Sequence, residues 1–356
     1  MKITMYSTSL RNSQRMVHFI GDSYTNLLEY RKNYHTNSND FLHPQAVTGF
    51  TDAEGTFNVH FRKTSKTLVG WLVTHQFKIT LHIKDKDLIL KLREFFGVGN
   101  ISINSEAGTA SIYITNLEQL TNVIIPHFLK YPLVTQKQAD FILFKEIIEQ
   151  KKQKEHLKLE GLIRIFMLRK HLNLGLSAEA QKFLDSYLLE NPNLASEFVV
   201  TRPVIKPTTQ LEPHWVSGFV SGDGSFFASI RKTNKTKIGF RVTLSLSVEL
   251  HIRELDVLES LKSYFKCGNV NPGTKRNLAK YSSQHFINIC DMVIPQFKKY
   301  SLIGVKAYDF NDFCKIADLM KSKDHLTESG FNQIKEIVST MNMRRPFDTN
   351  LDESCD

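Results

Sequence analysis

Glu54 and Asp223 stand 169 residues apart, each followed by a glycine, in segments that echo one another. VTGFTDAEGTFNVHFRK at 47–63 and VSGFVSGDGSFFASIRK at 216–232 are identical at seven of 17 positions. Each carries small residues four apart, Gly49 and Ala53 in one, Gly218 and Gly222 in the other. That spacing puts both on one helix face and lets two backbones approach closely. Each helix would then end on its acid, where the helix dipole already concentrates negative charge. If the two helices pack in parallel, the acids meet and repel. A divalent cation resolves the conflict, and oxygen ligands with retained water point to magnesium. Two such acids beside a phosphodiester, holding metal that activates water, would hydrolyse it. A single copy of the segment would read as a surface acid near a turn; the duplication reverses that preference.

The offset of 169 persists downstream without a gap. LHIKDKD at 81–87 meets LHIRELD at 250–256, IPHFLKYPLVTQK at 125–137 meets IPQFKKYSLIGVK at 294–306, and Gly161 meets Gly330. This register is too long for a solenoid unit and marks a tandem duplication with a pseudo-twofold relation. The expected organisation is an N-terminal extension over 1–41, a first domain over 42–173, and an interdomain helix and linker over 174–213. A second domain then covers 214–345 and a C-terminal tail 346–356. Within the linker, SAEAQKFLDSYLLE at 177–190 has a helical pattern, followed by a proline-containing tail.

The elements that must position the acids read α-β-β-α-β-β-α in each copy. Pro44 and Pro213 mark helix starts, and Gly55 and Gly224 are expected at left-handed helix caps. Phe57, Val59 and Phe61 then alternate with Asn58, His60 and Arg62, and Val73, His75, Phe77, Ile79 and Leu81 alternate with Thr74, Gln76, Lys78 and Thr80. Period-two alternation with one polar face marks antiparallel strands. An amphipathic helix at 86–97, strands near 100–104 and 109–115, and helices over 117–128 and 136–172 complete the unit. The fold class is α+β: two antiparallel, saddle-shaped sheets with helices packed on one face.

The polar strand faces are rich in hydrogen-bonding and cationic groups and poor in acids. In the first copy they and their turns carry Asn58, His60, Arg62, Lys63, Lys66, Thr74, Gln76, Lys78 and Thr80, with Asn100 and Ser102 further on. In the second they carry Ser225, Phe227, Ser229, Arg231, Lys232, Lys235, Lys237, Arg241, Thr243, Ser245 and Ser247. Side chains of this kind on a strand ribbon can reach base edges in a major groove. The formal charge of +10 agrees with a polyanionic partner.

Other chemistries find little support. Cys267, Cys290, Cys314 and Cys355 form no C-x-x-C spacing, against a disulfide framework or zinc finger. There is no run of 18 apolar residues, and no membrane partner is expected. Gly97-Val98-Gly99 lacks the third glycine of a dinucleotide fingerprint, and SGDGS at 221–225 lacks the later ligands of a calcium loop.

The paired segments resemble the signature of LAGLIDADG homing endonucleases in their single-chain, two-motif form, nearest the fungal mitochondrial, intron-encoded branch. The resemblance covers about residues 42–345. It implies a site-specific endonuclease that lays its sheets in the major groove of a long asymmetric duplex and leaves short 3′ overhangs. Glu54 and Asp223 would bind magnesium, with manganese or calcium able to take the same places, and the Ala53 and Gly222 carbonyls would be added ligands. The first motif ends D-A-E-G and the second S-G-D-G, so only the final acid is assigned and Asp52 is not. Lys137 and Lys306, each 82 residues after its glycine, would support the attacking water or the phosphate. A chain carrying both halves is expected to be monomeric, and the branch implies a mitochondrial location. Two other readings use the same scaffold: an intron RNA-binding splicing maturase, and a DNA-binding protein that does not cut.

Overall fold

The computed structural model describes residues 41–192, 199–208, 210–273 and 277–345. The expected extension before Phe41, residues 193–198 and Thr209 of the expected linker, and the tail from 346 with Cys355 lie outside the described residues.

The first repeat opens with α1 (Pro44–Glu54), which runs straight into β1 (Gly55–Lys63) and β2 (Trp71–His82). After α2 (Lys86–Phe96) come β3 (Asn100–Asn104) and β4 (Thr109–Ile114). A π-helical turn at Leu120–Ile124 leads into α3 (Ile125–Lys130), followed by α4 (Lys137–Lys152), α5 (Leu159–Lys170) and α6 (Ala178–Glu190). The second repeat reproduces this order as α7 (Pro213–Asp223), β5 (Gly224–Lys232), β6 (Phe240–His251), α8 (Leu255–Phe265), β7 (Asn269–Pro272) and β8 (Leu278–Ser283). It ends with α9 (Ile294–Lys299), α10 (Lys306–Lys321) and α11 (Glu328–Ser339). From α1 to α5 each element recurs 169 residues on, β7 alone being one residue short. The sheets are antiparallel with orders β1-β2-β4-β3 and β5-β6-β8-β7.

Strand alternation sends one side chain set of each sheet into a core. Phe57, Phe77, Ile79 and Ile112 are fully buried, and Phe57 meets Phe128, Phe141 and Phe144 from the helices at 5.3–5.5 Å between ring centroids. In the second repeat Phe226 takes the place of Phe57, against Phe297, Phe310 and Phe313. Burying one such ring contributes roughly 1.5–3 kcal/mol.

Two expectations change. Gly55 and Gly224 are not left-handed: their φ/ψ values are −80°/157° and −80°/155°, extended backbone that starts a strand. Glycine is needed there for space, since a Cβ would press on the Thr51 or Val220 side chain and carbonyl one turn back. The stretch between the repeats is also less free than a linker. Its helix α6 buries Ala180 and Leu184 in the first core, and Phe183 lies 5.3 Å from Trp71 and 5.4 Å from Phe166.

One difference between the two cores places polar groups in the first. Leu244, Leu319 and Met320 of the second are His75, Gln150 and Lys151 in the first. Among the described residues, neither Gln150 side-chain polar atom has a hydrogen-bond partner and the His75 ring has no more than a poorly formed contact with the Thr115 backbone, while Lys151 Nζ donates to the Val73 carbonyl. Burial, aided by the Lys151 charge, pushes the His75 imidazole down to about 4, and burial takes Lys151 to about 8. Neutral His75 therefore favours the fold above its ordinary value of 6.5, and that contribution is lost as pH falls from 6.5 toward 4. The double variant His75→Leu, Lys151→Met installs the second repeat's residues. It should raise the denaturation free energy at pH 7 by about 1–3 kcal/mol, the cost of leaving buried polar groups unpaired. It should also lose less stability than the parent between pH 6.5 and 4, as thermal melts at both values would show.

Candidate nuclease centre and nucleic-acid interface

α1 and α7 form the seam between the repeats. His43 caps α1 by accepting from the Gln45 amide, and Glu212 caps α7 by accepting from the Trp215 amide. A Cβ on Gly49 would collide with the Trp215 carbonyl, one on Gly218 with the Ala46 carbonyl, and one on Gly222 with the Ala53 side chain. The contacts progress in the same direction along both helices, so α1 and α7 run parallel at backbone contact. Their carboxyl ends bring Glu54 and Asp223 together.

That meeting is electrostatically costly. Burial, then the repulsion of Glu54, pushes the Asp223 carboxyl up to about 6. Burial also raises Glu54, with Lys137 and Lys306 pulling the other way. Among the described residues no hydrogen bond or close ion pair engages either carboxylate. Lys137 and Lys306 begin α4 and α10 and face the same centre; burial lowers both, and the nearby carboxylates counter it. Lys137 Nζ donates to the Thr51 carbonyl at 2.9 Å and the Ala53 carbonyl at 3.3 Å. The Ala53 carbonyl is therefore already engaged by a lysine, though its second lone pair is open. Lys306 instead lines a cavity of about 230 Å³, shared with Glu54, Gly222, His82, Lys84 and Asp85.

The loops that deliver these lysines are fastened twice. Asp52, not assigned a role from sequence, is buried and accepts from the Val134 amide (2.8 Å), the Thr135 amide (3.2 Å), the Thr135 hydroxyl (2.6 Å) and the Trp215 indole (2.8 Å). Its counterpart Ser221 accepts from the Ile303 amide at 2.9 Å. Each loop is also held across the seam: Glu254 accepts from the Gln136 amide (3.0 Å), and Asp85 from the Val305 amide (2.7 Å). Arg202 of the inter-repeat segment adds a clamp, donating to the Gln136 and His171 carbonyls and to Asp140. Arg345 likewise binds Asp309 and Asp312 in the second repeat. Sequence reading missed Asp85, Glu254, Arg202 and Arg345; the 169-residue offset between Asp85 and Glu254 was the available signal.

A divalent cation fits the donors present. Two converging carboxylates, neither in a close ion pair, sit at the seam, and Glu54 and Gly222 line the open cavity there. Among the described residues no cluster of three or more His, Cys, Asp or Glu could hold a metal by side chains alone. Remaining ligands would have to be backbone carbonyls, water or a bound phosphate.

The polar sheet faces flank this centre. In the first sheet, pairing places Asn58 beside Gln76, His60 beside Thr74, Thr56 beside Lys78, and Lys78 beside Tyr113, which adjoins Asn100. Thr80, Ser111 and Ser102 form another row. Arg62 continues the face toward the β1–β2 turn, where Lys66 is exposed. In the second sheet Ser225 pairs with Ser247, Phe227 with Ser245, Ser229 with Thr243, and Arg231 with Arg241; Lys235 and Lys237 are exposed in the turn. Lys63 and Lys232 belong elsewhere: strand alternation puts them on the helix side, where Lys63 meets Glu179 at 3.0 Å and the Trp71 ring. Thr56, Tyr113, Asn269, Asn271, Lys280 and Ser282 join the polar faces and were not read from sequence. Carrying the offset from Asn100 and Ser102 to Asn269 and Asn271 finds two of them.

The LAGLIDADG endonuclease family model matches residues 47–148 and again 216–317. "Probable intron-encoded endonuclease 3" of Neurospora crassa is 33% identical over 317 residues, covering 87% of this chain; the chain spans only 56% of that relative's length. The structure of the I-SmaMI LAGLIDADG homing endonuclease bound to cleaved DNA superposes with a TM-score of 0.79 at 40% identity, over 86% of this chain and 98% of that one. The same enzyme bound to an uncleaved target in the presence of calcium ions gives 0.79 at 39% identity, over 85% and 99%.

The seam has a direct test. Gly49→Ala should lower the denaturation free energy by about 1–3 kcal/mol or more, because the methyl meets main chain that cannot rotate away; urea titration measures it. With two matched repeats, parallel signature helices and polar sheets on either side of the paired acids, the chain belongs to the LAGLIDADG endonuclease family.

Proposed function

We propose that this chain is a site-specific double-strand DNA endonuclease, active with a divalent cation and, by preference, magnesium. The observation that carries the reading is the convergence of two partly desolvated carboxylates, neither in a close ion pair, at the seam between two cation-bearing polar sheets. Each sheet would lie along one half of an asymmetric duplex, its long side chains in the major groove and its arginines and lysines on phosphates. The seam would then face the stretch between the half-sites. Glu54 and Asp223 would hold the cation, with the Gly222 and Ala53 carbonyls as further donors. When bound, the cation supplies Lewis-acid stabilisation of the phosphate charge and an acidified water.

The protein's own groups supply the rest. Lys306 faces the cavity beside Glu54, where an ammonium can hold a phosphate oxygen or orient water. Lys137 neutralises the inner side of the centre and fixes the last turn of α1 through the Thr51 and Ala53 carbonyls. Both halves reside in one chain, so cleavage of both strands would need only a monomer. The intron-encoded relative of Neurospora crassa supports a fungal intron as the setting of the gene, and the motif resemblance a mitochondrial location of the product.

Glu54→Gln and Asp223→Asn should each lower double-strand cleavage by about 10³-fold or more, as removal of transition-state stabilisers does elsewhere, while duplex affinity measured by gel shift changes little. Comparable cutting by either variant would overturn the shared-cation reading. Duplex binding should weaken by about 10³-fold or more between 50 and 200 mM salt if six or more phosphates are neutralised; a flat response would argue against the sheet faces as the binding surface.

A further inference from the structure

Amid the polar groups on the exposed face of the second sheet stands a phenyl ring that cannot hydrogen-bond. Phe227 is 52% exposed, whereas the other large apolar side chains of β5 and β6 point into the core and Leu278, at the far end of β8, is half-buried. Its neighbours on the same face are short hydroxyls: Ser225 and Ser229 along β5, Ser245 directly opposite, and Thr243 and Ser247 diagonally across on β6. Cations border the patch at Arg231 and Arg241 on one side, and on the other Lys280 stands opposite Glu249. At the equivalent place in the first sheet stands Asn58, opposite Gln76. The pseudo-twofold pair thus contrasts two carboxamides with a phenyl ring among hydroxyls.

The contrast has a definite chemical meaning if the sheets lie in the major groove, and the inference rests on that reading. A hydroxyl both donates and accepts, so the surrounding serines and threonines discriminate weakly among base edges. A phenyl ring discriminates sharply. Every polar base edge loses water to it without return, and the C5-methyl of thymine is the apolar group a base pair offers in that groove. Stacking on a base face would require unpaired nucleotides, whereas a pair of pseudo-twofold sheets matches the two halves of a duplex. We infer that Phe227 is a specificity-determining residue that reads a thymine methyl in the half-site under the second sheet, where the first sheet has a carboxamide reader at the matching position.

The test uses the full chain and a duplex recovered by selecting cleaved molecules from a randomised library with magnesium. Each thymine of the half-site under the second sheet is replaced singly by deoxyuridine, which removes the methyl and leaves base pairing intact. Affinities are measured with calcium for the parent and for Phe227→Ser, an exposed substitution to the residue type that surrounds it. One replacement should weaken parent binding about four-fold, equivalent to the ~0.8 kcal/mol of a single buried methyl, and leave the variant unaffected. Selection repeated with the variant should lose the thymine preference at that position alone. Neutral replacement at every thymine, or an equal penalty in parent and variant, overturns the inference while leaving the endonuclease reading in place. So does a variant impaired only on single-stranded DNA, which would make the ring a stacking platform. A parent chain that binds and cuts no duplex overturns the endonuclease reading as well.

Discussion

Backbone contact between α1 and α7 is the constraint on which the rest depends. Gly49 and Gly218 each lie against a main-chain carbonyl of the opposite helix, and Ala53 lies against Gly222. Parallel packing at that distance puts both helix carboxyl ends in one place, and both end on an acid. Dipole, burial and mutual repulsion all disfavour the result. The arrangement persists because two aromatic cores, one behind each sheet, hold the helices by their buried faces. Neither acid can retreat without separating the repeats. The strain is local, and the packing that sustains it is spread over both repeats.

Around this centre the two halves are tied crosswise. Asp85 of the first repeat holds the loop before Lys306, and Glu254 of the second holds the loop before Lys137. Each lysine therefore takes its position from both repeats. Arg202 and Arg345, which follow their repeats in sequence, come back to fasten the first turns of α4 and α10. The segment joining the repeats is thereby part of the site's frame.

Much of this was legible in the sequence because it was written twice. The shared register exposed the signature helices, the acids, the lysines and the strand alternation, each supported by its copy. Signals that depend on space were not legible. Gly55 and Gly224 look like left-handed caps until the side chain one turn back is seen to fill the volume of a Cβ. Lys63 is a different case: the alternation in the sequence already puts it on the opposite face from Arg62, and the fold sets it against Glu179. Asp52 lies among motif residues, but its role comes from Thr135 and Trp215, distant in sequence.

The two repeats have diverged unequally, and the physics of each surface explains the pattern. At the seam a change on one helix alters the space available to the other, and one difference there is matched across it. Asp52 faces Trp215, whose indole it accepts; at the counterpart positions Ser221 and Ala46 are both small. On the open sheet faces no such coupling exists. Asn58 has become Phe227, Gln76 is Ser245, Lys78 is Ser247 and His60 is Ser229, with no compensating change required in the other repeat. One duplicated chain can thus keep a near-symmetric centre while its two sheet faces differ freely, which is the division the proposed asymmetric duplex would demand.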